Sequence, residues 1–274
     1  MVDLGTLLRD LDEESADLDR IVADLPDADW HRPTPAPGWT IAHQIAHLAW
    51  TDAVATLAAT DADAFAAVLA EAARDTTGLV DRTAAEGITA PPELLARWRH
   101  GRAALRAALA ATDPEVKLPW FGPPMSPAMT ATGRLMETWA HGQDVADALG
   151  LTRQPTARLR HVAYIGYRTL GHGFAAHGRP VPREPVRVAL TAPDRQVWEF
   201  GPADAPDRLS GPALDFCLLV TQRRHRADLN LEATGRIADE WLDVAQAFAG
   251  PPGPGREPTM SGREPTASGR EPTA

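Results

Sequence analysis

Leu4, Leu7, Leu8, Leu11, Leu18, Ile21, Val22 and Leu25 recur at three- and four-residue spacing, which predicts a helix with one buried face. Pro26 and the stretch PTPAPGW end it. Thr40 stands as N-cap to a second helix carrying Ile41, Ile45, Leu48 and Trp50. Two further helical stretches are expected near 62–86 and 92–112. The segment DPEVKLPWFGPPMSP, with five prolines and a glycine, reads as a loop. Helical spacing resumes near Pro127 and runs to Gly150, a C-terminal stop. Long helices with short links over 1–150 predict an up-and-down helical bundle.

The texture changes after 150. One helix is expected over about 156–176. In PVRVALTAPDRQVWEFGP, Val186, Val188 and Leu190 alternate before the turn APDR, and Val197, Trp198 and Phe200 follow it, which predicts a β-hairpin. PALDFCLLVTQRRHR reads as a helix with an apolar body and a basic end. DLNLEATG offers a short strand, and IADEWLDVAQAFAG an amphipathic helix ending at Gly250. Residues 151–250 thus predict a small α+β domain. Beyond it, GREPT starts at 255, 262 and 269. Proline and glycine in every unit, and no apolar residue at helical spacing, predict a disordered tail over 251–274.

Composition narrows the function classes. The formal net charge is −10, and residues 1–30 hold ten acids against Arg9 and Arg20, which argues against a nucleic-acid partner. The same acidic first helix offers a surface through which two copies can pair as a homodimer. No apolar run is long enough to span a bilayer, and the acidic N-terminus is unlike a signal peptide. A cytoplasmic protein without membrane partners is expected. Cys217 is the only cysteine, so no internal disulfide forms; its place in ALDFCLLV predicts a buried thiol.

The candidate chemistry lies in TIAHQIAHLAW and METWAHGQD. Glu137 and His141 stand four apart and share one helix face. His47 lies about ninety residues earlier on another helix, and packing the two would bring two imidazoles and a carboxylate together. That set holds a divalent metal and leaves coordination positions open. Each piece alone has a simpler reading. A histidine on an apolar helix is commonly a hydrogen-bonded core residue, and an i,i+4 acid–histidine pair is commonly a surface ion pair. Glu137, however, lies among Leu135, Met136 and Trp139, where a carboxylate is costly unless paired or metal-bound. His43, one turn before His47, reads as a helix-surface residue or a neighbour of the ligands. QRRHR reads equally as a solvated helix end favoured by the dipole or as a carboxylate-binding group.

GWTIAHQIAHL followed by ETWAHGQD resembles the N-terminal domain of the mycothiol-dependent maleylpyruvate isomerase family, within the DinB-like group of four-helix metal-binding proteins. Gly38, Trp39, His47, Leu48, Glu137, His141 and Asp144 stand at the matching places. The resemblance implies a divalent metal, usually zinc, on His47, Glu137 and His141. It implies mycothiol as thiol cosubstrate, and a small acidic or electrophilic substrate. VWEFG with GPALDFCLLVTQRRH resembles the sterol-carrier-like α+β domain of such two-domain proteins, in a subgroup described only as metal-binding. It implies Arg223 as the substrate-binding or catalytic arginine, with Arg224 next to it as a cofactor-binding candidate.

These residues support thiol chemistry in a physical sense. A free thiol is mostly protonated at neutral pH, and binding to a divalent cation removes the proton. The thiolate then adds to an electrophilic carbon, arginines of QRRHR hold a carboxylate, and Asp144 orients a ligand imidazole. Isomerisation follows addition by rotation and elimination; conjugation stops at addition. Two other functions use the same residues. One is metal-assisted hydrolysis with Asp144 or His43 as base. The other is a non-catalytic metal- or ligand-binding module.

Overall fold

The computed structural model describes residues 3–253 and 255–259. Helix α1 (Leu4–Val22) starts where Asp3 accepts a hydrogen bond from the Thr6 N–H at 3.0 Å. Helix α2 (Ile41–Thr60) starts at Thr40, with a capping box closed by the His43 side chain. Where one helical stretch was expected over 62–86, two helices form, α3 (Ala62–Arg74) and α4 (Leu79–Glu86). Between them Asp75 Oδ1 accepts from the Gly78 N–H at 2.8 Å, closing a turn in place of a helical hydrogen bond. Helix α5 (Pro91–Ala111) and helix α6 (Pro127–Leu149) complete the first part. Ser126 caps α6, Pro127 opens it, and Gly150 ends it in the left-handed conformation at φ 68°.

Helix α2 packs on both α5 and α6, and α1 packs on α6. Leu18, Ile41, Ile45, Leu48, Leu94, Trp98 and Val145 form the core between them. A buried ion pair crosses it. Arg134 Nε of α6 donates to Asp52 Oδ1 of α2 at 2.9 Å, and Arg134 Nη2 donates to the Thr51 hydroxyl at 2.6 Å.

The second part opens with α7 (Leu159–Arg168) and α8 (Leu170–Ala176), separated at Thr169. The expected hairpin is present as β1 (Val186–Thr191) and β2 (Val197–Phe200), with Val188 opposite Phe200 and Leu190 opposite Trp198. Strand β3 (Asp207–Pro212) was not anticipated. It pairs parallel to β1 although DRLSGP contributes mainly Leu209 to the core. Strand β4 (Glu232–Thr234) pairs antiparallel to β3, so the sheet order is β2-β1-β3-β4. Helix α9 (Ala213–Val220) stops before QRRHR. The Gln222 and Arg223 N–H groups turn back to the Leu219 and Leu218 carbonyls, with Gln222 at φ 58°. Helix α10 (Arg236–Val244) likewise ends before Gly250. Asp207 Oδ1 caps it, accepting from the Ile237 and Ala238 N–H groups. Cys217 is buried in α9 and faces the Leu159 carbonyl.

One hydrophobic cluster runs from Leu7, Leu11, Leu135 and Trp139 into Val162, Val188, Phe216 and Trp241, so the core is continuous across residue 150. The acidic face of α1 is occupied within the chain. Glu14 pairs with Arg153 and Arg158, Asp10 with His161, and Asp19 with Arg99 and Arg102. Among the described residues no helix is long and apolar enough to cross a membrane. The tail expected from 251 departs from that expectation at its start. Residues 255–259 lie against the body, with the Thr259 N–H donating to Asp228 at 2.9 and 3.0 Å. The expected disorder of 260–274 concerns residues outside the described ones.

Candidate metal centre

The contact of α2 with α6 brings His47 and the Glu137/His141 pair to one point. Ligand atoms of the three lie within 4.8 Å of one another. His47 Nε2 is 3.5 Å and His141 Nε2 3.2 Å from the same oxygen, Glu137 Oε2. Both histidines are nearly enclosed, while the Glu137 side chain keeps 21% exposure, which leaves the centre reachable from its carboxylate side.

Gln44 sets the orientation of His141. It stands three residues before His47 on α2, on the same helix face. Its Nε2 donates to the Thr34 hydroxyl at 2.8 Å, which leaves Oε1 to accept from His141 Nδ1 at 2.5 Å. Thr34 in turn donates to the Trp39 carbonyl at 3.0 Å. With its proton on Nδ1, His141 presents the Nε2 lone pair to the centre. Trp39 stacks on the His141 ring at 5.9 Å and 17°, and its Nε1–H is fixed by Asp81 at 2.8 Å. Trp50 flanks His47, and Phe121 follows Trp50.

The electrostatics favour ligand-ready forms. Burial pushes the His141 pKa down to about 4 against the opposing pull of Glu137, so the imidazole is neutral at physiological pH. Burial raises the Glu137 carboxyl, but its close contacts with His141 and His47 outweigh that and hold the group well below its usual value. Glu137 Oε2 thus lies 3.2 Å from the lone-pair nitrogen of a neutral His141 and 3.5 Å from His47 Nε2, an arrangement of acceptor atoms that a cation between them would satisfy. The three residues therefore fit a divalent cation in both geometry and donor chemistry.

Other expected site residues fall differently. Asp144 does not orient an imidazole. It is fully buried one turn beyond His141, where Oδ2 accepts from Arg223 Nη2 at 2.7 Å and Oδ1 from Arg256 Nη2 at 2.7 Å. The guanidinium groups reach it first, and Gln44 takes the role assigned to it. Arg223 leaves the end of α9, also donates to the Thr221 carbonyl, and lies close enough for its charge to lower the His141 pKa. Arg224 makes a two-pronged pair with Asp147 at 2.7 and 2.8 Å, so its planar fork is committed there. His43 Nδ1 accepts from the Thr40 N–H at 3.2 Å and serves the cap of α2. Gln44 and Arg256 are the residues sequence reasoning passed over. A glutamine at i−3 from a ligand histidine is a usable signal; Arg256 has none locally.

A His/His/Glu cluster between two helices, with Asp144 and its two arginines further along α6, is the arrangement of a candidate metal centre. Residues 11–146 match the profile described as the mycothiol maleylpyruvate isomerase N-terminal domain, and residues 182–232 match one described as wyosine base formation. Two proteins from strains of Mycobacterium tuberculosis, both named only as uncharacterized proteins, are 52% identical over 257 residues, spanning 93% of this chain and 100% of each relative. A crystal structure of the mycothiol-dependent maleylpyruvate isomerase shares the fold at TM-score 0.57 and 18% identity, covering 81% of this chain and 90% of that one. A histidine-to-alanine variant of that enzyme does so at TM-score 0.55 and 17% identity, with the same coverage. The chain belongs to the mycothiol-dependent maleylpyruvate isomerase-like family.

Proposed function

We propose that this chain is a metal-dependent enzyme of thiol chemistry, using mycothiol on a small acidic electrophile as an isomerase or S-transferase. The observation that carries this reading is the convergence of His47 Nε2 and His141 Nε2 on Glu137 Oε2. Zinc is the ion the nitrogen and carboxylate donors favour. A divalent metal bound there supplies the charge that lowers a thiol pKa into the physiological range. We read the four packed helices as a DinB-like bundle and the sheet-bearing part as sterol-carrier-like.

The chain's own residues divide the remaining tasks. Gln44 keeps the His141 proton on Nδ1, away from the reacting side. Arg223, on the Asp144 side of His141, offers a guanidinium to a substrate carboxylate. Trp39 and Trp50 flank the ligand rings and limit water. In the balanced reaction, thiolate sulfur forms a bond to one alkene carbon and the adjacent carbon takes up negative charge. Rotation and expulsion of the same thiolate return an isomer; protonation of that carbon instead leaves a conjugate. Metal-assisted hydrolysis is less well supported, because His43 is held at a helix cap and Asp144 between two arginines. Neither is free to act as a base.

The test is turnover of maleylpyruvate and related unsaturated acids by the metal-loaded protein with and without mycothiol. Strict dependence on the thiol supports the reading. Equal turnover without thiol points to hydrolysis, and no turnover with either points to a binding module.

A further inference from the structure

Asp144 is fully buried on α6, three residues after His141, and a buried carboxylate is costly unless its oxygens are hydrogen-bonded. Arg223 satisfies one oxygen. Among the described residues, the other is satisfied by Arg256 of the first GREPT unit. The Arg256 fork does a second thing. Its Nη1 donates to the Pro35 carbonyl, in the loop that carries Trp39 onto the His141 ring. The side chain is 18% exposed and its Nε is enclosed, as is the Nε of Arg223. Three residues on, the Thr259 N–H is bonded to Asp228, so the unit is fastened at two points. A tail residue that merely rested on the surface would bury neither its guanidinium nor the oxygen it meets.

We propose that Arg256 is a positioning residue of the site: it closes the open oxygen of Asp144, thereby fixes Arg223 beside the His47–Glu137–His141 centre, and ties the Trp39 loop to the same carboxylate. Without it, Asp144 Oδ1 is a buried anionic acceptor lacking a donor, and the group relaxes toward water by moving Arg223 and the loop. The effect on substrate binding rests on the reading of Arg223 given above. The three identical units give the tail three copies of the same side chain at a seven-residue period, at Arg256, Arg263 and Arg270.

The test uses the full chain with Arg256, Arg263 and Arg270 all replaced by alanine, so that no sister repeat substitutes, beside Arg256→Lys, which keeps charge but loses the fork. Two readouts need no turnover. Hydrogen exchange of the Thr34, Trp39 and Ile41 amides, which are bonded within or beside the loop, should rise about tenfold or more, the scale of one charge-assisted hydrogen bond. The enclosed Arg223 Nε–H resonance should be lost to solvent exchange, with the lysine variant in between and metal content unchanged. An unaltered loop and an unaltered Arg223 signal would overturn the proposal. Calorimetric titration with maleate as probe gives the functional arm. The triple variant should bind about tenfold more weakly, and adding Arg223→Ala should weaken binding no further than Arg223→Ala alone. Fully additive losses overturn positioning through Arg223. If maleate does not bind the unaltered protein, the carboxylate reading of Arg223 fails, and the exchange and resonance results still decide the role of Arg256.

Discussion

Gln44 of α2 and His141 of α6 meet at 2.5 Å, ninety-seven residues apart in sequence, and this contact decides which imidazole nitrogen faces Glu137. Gln44→Leu removes the acceptor and leaves the fold's apolar packing in place. Metal affinity should fall about 10- to 100-fold, as for other residues that orient a metal ligand. Competition against a chromogenic chelator measures it; affinity equal to the unaltered protein would remove Gln44 from the site.

Arg223→Ala should leave metal content intact and weaken use of acidic substrates, because Arg223 touches Asp144 and not the three ligands. The rise should appear in KM more than in kcat if the guanidinium holds a carboxylate equally in ground and transition states. Unchanged kinetics would exclude that role.

Arg134→Met strands Asp52 inside the bundle. Losing one partner of a buried ion pair costs about 3–5 kcal/mol, read from denaturant unfolding. Burial already raises the Asp52 carboxyl above its usual value, with Arg134 opposing. Removing Arg134 raises it further, so the native state holds a proton that the unfolded state releases. Stability of the variant should therefore increase as pH falls from neutral toward the ordinary aspartate range. A flat or opposite trend would contradict this assignment.

Cys217 should resist thiol reagents in the native state and react fully on unfolding. Burial pushes its pKa well above the usual value, which suppresses the thiolate. Rapid native-state labelling would mean that α9 opens far more readily than its packing implies.

The site is legible in the sequence to unequal depth. Helix α6 declares itself through Ser126, Pro127 and Gly150, and the Glu137/His141 spacing through one helix face. Strand β3 does not, because DRLSGP has little apolar alternation and its pairing with β1 is settled only in the sheet. The end of α9 is set by backbone turns at Gln222 and Arg223, which a run of basic residues does not disclose. Arg256 is illegible for a different reason. Its partner Asp144 lies 112 residues away, and its own repeat has the composition of a disordered segment. Asp144 is expected to face an imidazole and instead meets Arg223 and Arg256, since sequence spacing shows a neighbour on the helix but not which donors arrive from elsewhere.

The central claim is that His47, Glu137 and His141 hold a divalent ion. Elemental analysis of the purified, untagged protein beside His47→Ala tests it most directly. The account predicts one equivalent of zinc or another divalent metal per chain, lost in the variant while the helical content is kept. Absence of metal from both proteins after loading, or equal metal in both, contradicts it.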